Sequence, residues 1–223
     1  MKLLVILINV LTVVTACQAS PNTEDGMLKI EEQNIIKAVE NNNIKTVEEA
    51  LKNGSNVNTV DKKKRSLLLI ATNNAHTEMA QLLVKKGANV NQQAENMDTP
   101  FLYAGATGQT ALVELYLNHG ARFDIFNRYQ GTALIPACER GHVETVRVLV
   151  NTENYPIDHV NRLGWTALME AIVLGNGTAK YQQIVQILKD GGANMTIPDQ
   201  DGISPLQHAE RRGFKEIVSI IKS

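Results

Sequence analysis

The sequence predicts an all-α solenoid of about six helix-turn-helix repeats joined by β-hairpin-like loops, and three observations predict it. A small hydroxyl residue followed by an apolar run recurs 33 residues apart at Ser66, Thr99 and Thr132, and again at Thr166 and Ser204. An alanine stands five residues after each of these, at Ala71, Ala104, Ala137, Ala171 and Ala209. Turn-forming glycines keep the same period at Gly54, Gly87 and Gly120. A fixed period of this length belongs to repeat architectures, in which no unit buries its apolar face alone and neighbours must stack.

Each element then follows from local chemistry. Ser or Thr at the head of a helix accepts a hydrogen bond from an otherwise unpaired amide, and Pro100 and Pro205 suit the first turn, where no amide donor is needed. Six repeats fit, at 31–60, 61–93, 94–126, 127–160, 161–198 and 199–223. In the second, Met79, Ala80, Leu82, Leu83 and Val84 recur at helical spacing and form an inward face, which Gly87 ends by taking a left-handed turn. The first repeat lacks the hydroxyl-led opening and the last stops after its second helix, as terminal caps do. Two stretches break the period. NTENYPID (151–158) replaces the glycine turn of repeat four, and LGNGTAKYQQ (174–183) lengthens the turn between the helices of repeat five. Such an insertion is either a tolerated loop or a binding element.

The chain opens MKLLVILINVLTVVTACQAS. One basic residue precedes an apolar run from Leu3 to Val14, which is too short to cross a hydrocarbon core of ~30 Å and reads as an export signal over residues 1–16. The sequence Val14, Thr15, Ala16, Cys17 resembles the lipobox of bacterial lipoproteins. That resemblance implies a lipid on Cys17, cleavage just before it, and a chain anchored to a membrane without spanning it. The alternative is ordinary cleavage after Ala19, which discards Cys17 and releases a secreted soluble protein. Residues 17–30, beginning with the polar QASPNTEDG stretch, are expected to form a flexible tether.

Composition narrows the function classes. With 22 basic and 23 acidic residues the formal net charge is −1, so no electrostatic footprint for nucleic acid is present. Cys17 and Cys138 are the two cysteines, and with Cys17 acylated or removed no intrachain disulfide can form. The chain contains no His-Glu-x-x-His, Gly-x-Ser-x-Gly, phosphate-loop or spaced-cysteine motif. His142 and Glu144 match the His-x-Glu of zinc deaminases, but the partnering Pro-Cys-x-x-Cys is missing. The expectation is a protein without catalysis, metal or cofactor.

GANVN (87–91), GHVETVRVLV (141–150), GWTALMEA (164–171), GGAN (191–194) and DGISPLQHA (201–209) make the repeat similar to the ankyrin repeat. Residues 127–223 further resemble uncharacterised single-domain bacterial ankyrin proteins through PACERGH (136–142), GWTALMEAIVLGNG (164–177) and RRGFKEIV (211–218). The resemblance implies a concave groove lined by hairpin tips and the exposed side of the first helices, and it places Tyr103, Tyr129, Glu139, Arg140, Trp165, Glu170 and His208 there. It also implies that His142 bonds loop backbone. Aromatics (Tyr103, Tyr129, Trp165) and acids (Asp98, Glu139, Glu170) gather at the middle of this groove, and its ends are basic. A protein partner is expected. The alternative is a small cationic ligand, an amine or basic amino acid, held over a ring face and paired with a carboxylate. Membrane association is expected through Cys17 alone.

Overall fold

Caps and turns divide the chain into helical pairs. The computed structural model describes residues 24–223, so the export signal, Cys17 and the first part of the tether lie outside the described residues. The pairs run in chain order: α1 (Glu24–Glu40) with α2 (Ile44–Lys52), α3 (Leu67–Asn73) with α4 (Thr77–Lys85), and α5 (Pro100–Ala106) with α6 (Thr110–Leu117). They continue with α7 (Leu134–Arg140) and α8 (Val143–Val150), α9 (Ala167–Val173) and α10 (Ala179–Asp190), then α11 (Pro205–Arg211) and α12 (Lys215–Lys222). Odd-numbered helices pack on odd and even on even along the stack, giving two layers of six. The core lies between them. Small residues let the inner layer approach closely: Ala71, Ala104, Ala137, Ala171 and Ala209 are all fully buried, which is why alanine holds the period. No described helix is long and apolar enough to cross a membrane.

Helix α1 begins at Glu24, so the later part of the segment expected to be a flexible tether is helical. Its outer turns leave Met27 and Ile30 half-exposed, and burial begins at Ile35.

Four helices carry the expected hydroxyl cap: Ser66 Oγ accepts from the Leu69 amide, Thr99 Oγ1 from Leu102, Thr166 Oγ1 from Met169 and Ser204 Oγ from Gln207. Repeat four departs from this. Pro136 has no amide to give to the Thr132 carbonyl, whereas Ile70, Tyr103, Glu170 and His208 make that bond in the other repeats. Helix α7 therefore starts a residue later, without a side-chain cap from Ala133. The buried Tyr155, in the stretch that breaks the period, supplies a different acceptor at this helix start: its hydroxyl takes the Leu134 amide at 3.2 Å.

Between pairs the chain makes tight tips. The amides of Asp61, Ala94, Asn127, Asn161 and Asp199 each donate to the carbonyl four residues on. Among the described residues there is no strand and one isolated antiparallel bridge, Val60 with Ser66, so the expected hairpins are turns without ladders. At four of the five tips an Asp or Asn opens the turn and its Oδ1 accepts two amides, as Asn161 does from Leu163 and Trp165. Neighbouring repeats are stapled to one another: Gln109 Nε2 donates to the Thr72 carbonyl at 3.0 Å and Arg212 Nη2 to the Gly175 carbonyl at 2.8 Å. The result is a pre-stacked scaffold that holds the tips and the inner helices at fixed spacing.

Candidate functional site

The inner helices of repeats three to five and the tips beside them enclose an open cleft of about 440 Å³. Tyr103 (α5), Tyr129 (tip), Glu139 and Arg140 (α7) and Glu170 (α9) all line it, so five of the seven groove residues expected from the sequence come together. Two do not. Trp165 is half-buried at the end of the tip that carries Asn161 and Leu163 and is not among the lining residues. His208 lies in repeat six, where its Nε2 meets Asp199 Oδ2 at 2.7 Å.

Glu170 sits where the other repeats carry Ile70, Tyr103, Pro136 and His208, each four residues after the opening hydroxyl residue. It is only 6% exposed. Its Oε1 accepts from Asn161 Nδ2 at 2.8 Å and its other oxygen has no hydrogen-bond partner among the described residues. Burial pushes the Glu170 carboxyl up to about 7; Glu139 adds to the shift, and Asn161 and Arg140 oppose it. Burial likewise raises the Asp98 carboxyl on the cleft wall, against the attraction of Arg128 and Arg140. A carboxyl that burial makes costly to ionise is one whose charged form an added positive charge would stabilise.

The cleft's own arginines point elsewhere. Arg140 Nη1 donates to the Ala106 carbonyl at 2.6 Å, and the Arg128 guanidinium lies 4.7 Å from the Tyr129 ring centre. Arg162 approaches the same ring at 5.9 Å. The protein's own cations therefore already flank Tyr129, and Trp165 stands outside, so the ring-and-carboxylate cage anticipated for a small amine is not assembled. What surrounds the polar floor instead is an apolar rim, with Tyr129 43%, Leu163 48% and Leu174 48% exposed.

Asn161, Arg128, Leu163 and Leu174 belong to the cleft although the sequence did not mark them. One signal could have found Asn161: the Asn161–Glu170 bond spans nine residues, as does Asp199–His208 in the next repeat. A polar residue on the inner helix calls for a partner at the head of its own tip. Away from the cleft, Cys138 is fully buried and its thiol is pushed well up by burial, which suits a core residue and not a nucleophile. His142 sits against Gly108, and burial lowers its imidazole while the backbone of Ala106, at the end of helix α5 and not in a loop, opposes the shift.

A repeat-built, two-layer helical stack with a lined concave cleft defines an ankyrin-type scaffold. The family pattern described as ankyrin repeats (three copies) matches residues 35–127 and 101–181, and the chain belongs to that family. Among relatives, it is 43% identical to the ankyrin repeat protein YahD of Escherichia coli (strain K12) over 94 residues, 42% of this chain and 47% of YahD. It is 39% identical over 87 residues to the Caenorhabditis elegans ankyrin repeat and KH domain-containing protein mask-1, covering 39% of this chain and 3% of that one. The aligned stretch thus spans about half of the first relative and a small part of the second. Two crystal structures cover most of the chain. An ankyrin repeat domain from Acinetobacter baumannii AYE superposes with a TM-score of 0.83 at 44% identity, over 86% of this chain and 97% of that one. The ankyrin repeat protein EF0377 gives 0.82 at 37% identity, over 85% and 96%.

Proposed function

We propose that this chain is a non-enzymatic interaction module, exported and held at a bacterial membrane surface by lipid on Cys17, that binds a protein partner through the cleft of repeats three to five. The observation that carries the binding reading is the apolar rim: Tyr129, Leu163 and Leu174 stand exposed around a polar floor on a rigid stack. Exposed apolar side chains grouped around a concavity mark an interaction surface, and a pre-stacked scaffold loses little conformational entropy when it binds. A protein partner fits this better than a small amine, because the rim offers contact area while the Tyr129 ring is already flanked by arginines. Export and anchoring rest on the sequence around Cys17, outside the described residues.

A photo-crosslinking amino acid placed at Leu163 tests the binding reading against the same group at Glu114, an exposed residue of the outer layer. Discrete cross-linked partners from Leu163 and not from Glu114 support it. Equal, diffuse labelling at both positions would remove the cleft from the argument. The mass of the N-terminal peptide of the mature protein tests the anchor, since a diacylated Cys17 and a chain that starts after Ala19 differ unmistakably.

A further inference from the structure

We propose that the cleft receives one cationic side chain, a lysine or arginine of the partner protein, whose charged end reaches the carboxyls of Glu170 and Glu139 while apolar neighbours in the partner rest on Tyr129, Leu163 and Leu174. The inference rests on the binding reading above and names the chemistry of the partner. Four observations converge on it.

First, the cleft's volume of about 440 Å³ falls in the ~300–1,000 Å³ range of ligand sites. Second, Glu170 is more than nine-tenths buried, lines this cleft and keeps one oxygen without a hydrogen-bond partner among the described residues. A carboxylate oxygen left so is a strong acceptor waiting for a donor. Third, Asp98, Glu139 and Glu170 make no ion pair among the described residues, although two arginines line the same cleft. Arg140 is committed to the Ala106 carbonyl and Arg128 to the Tyr129 ring, so both act on the floor carboxyls from a distance and neither forms an ion pair with them. Fourth, the position held by Glu170 carries isoleucine, tyrosine or proline in the three preceding repeats, and its burial raises its carboxyl. The stack tolerates a costly charge at an inner-helix position that lines the cleft.

The charged and titratable groups around Glu170 agree with this assignment. Helix α7 presents Glu139 and Arg140, with the neutral Cys138 behind them; the tip presents Asn161, and the far wall Asp98 and Arg128. Helix α11, which packs on α9, presents His208, and that imidazole is held by Asp199. An incoming guanidinium or ammonium group adds the direct ion pair that the carboxyls of this set do not make with Arg128 or Arg140, with its stem against Leu102, Tyr103 and Leu163.

The test titrates the 15N-labelled chain with the blocked tripeptide acetyl-Leu-Arg-Leu-amide, its lysine counterpart, its neutral citrulline isostere, and arginine methylamide alone. At pH 8 the two cationic tripeptides are expected to bind about tenfold tighter than the citrulline peptide and to shift the amides of Tyr103, Glu139, Asn161 and Glu170. Glu170→Gln should reduce that preference to less than about threefold without loss of fold, and Glu139→Gln, a second variant at the cleft surface, should reduce it in part. Equal affinity for the arginine and citrulline peptides overturns the proposal, as does an unchanged preference in a folded Glu170→Gln variant. Arginine methylamide binding as tightly as the tripeptides overturns the assignment to a partner's side chain. If cross-linking from Leu163 still captures partners while these titrations fail, the groove reading stands and this inference falls.

Discussion

At the scale of single residues the informative position is Glu170. Its folded-state value of about 7 lies above the ordinary 4.5, so between those values the native chain holds a proton that the unfolded chain has lost. Stability therefore falls as pH rises from about 4.5 through about 7 and is lowest, with respect to this group, above that window. Glutamine keeps an oxygen for Asn161 Nδ2 and cannot ionise. Glu170→Gln is expected to stabilise the chain by roughly 2–3 kcal/mol at pH 8 and by almost nothing at pH 4. Urea melts at the two pH values check this, and equal midpoint changes at both would show that ionisation of Glu170 costs the fold nothing. A variant more stable than the parent yet poorer at selecting a cation is what a functional charge at a buried position should give. The residue was visible in the sequence as a groove position, but its burial was not. Helical spacing places a side chain on the inner helix; only the tip that folds over it, through Asn161, decides how much water it keeps.

At the scale of elements, the period was legible because caps, alanines and turns are local chemistry, repeated. Ser66, Thr99, Thr166 and Ser204 cap as the sequence says they should. Thr132 resembles them in sequence, and what sets it apart is Pro136, four residues on, which withdraws the amide its carbonyl needs. The irregular stretch NTENYPID then supplies Tyr155, whose ring packs 4.8 Å from Phe123 and whose hydroxyl accepts the Leu134 amide. A broken turn and a broken cap, 20 or so residues apart, are thus one compensated change, and that coupling runs through space and not along the chain. Tyr155→Phe isolates it. The ring and its packing remain, while a buried amide loses its acceptor. The expected cost is about 1–2 kcal/mol, read as a fall of roughly 2–8 °C in Tm for a chain of this size. An unchanged Tm would mean that Leu134 finds another acceptor and that the two irregularities are independent. The placement of Trp165 has a similar origin. It shares a tip with Leu163, and both amides donate to Asn161 Oδ1, yet Leu163 lines the cleft and Trp165 does not; which of the two does so is set by the folded tip and not by spacing along the chain.

At the scale of the whole molecule, stability is a property of the interfaces between repeats. A single pair of seven- to nine-residue helices is too short to hold itself in water, and each repeat gains its fold from the neighbour that covers its apolar face. In repeat six, Lys215, Glu216, Ser219 and Lys222 of α12 face solvent while Ile217 is fully buried, and Lys189 Nζ from the preceding repeat ties down the Ile220 carbonyl at 2.6 Å. Removing residues 199–223 should uncover the apolar faces of α9 and α10 that α11 and α12 now cover. One interface is lost and four remain, so the shortened chain is expected to keep its helical circular dichroism per residue in native buffer. It should bind a hydrophobic dye, melt lower by more than roughly 10 °C, and show a urea m-value reduced in proportion to the surface no longer buried. Trimming the outer turns of α1, where Met27 and Ile30 are already half-exposed, should by contrast leave melting nearly unchanged. Complete loss of helicity on removing repeat six would show that the six repeats fold only as an indivisible unit, and the nearest-neighbour account of this stack would have to be abandoned.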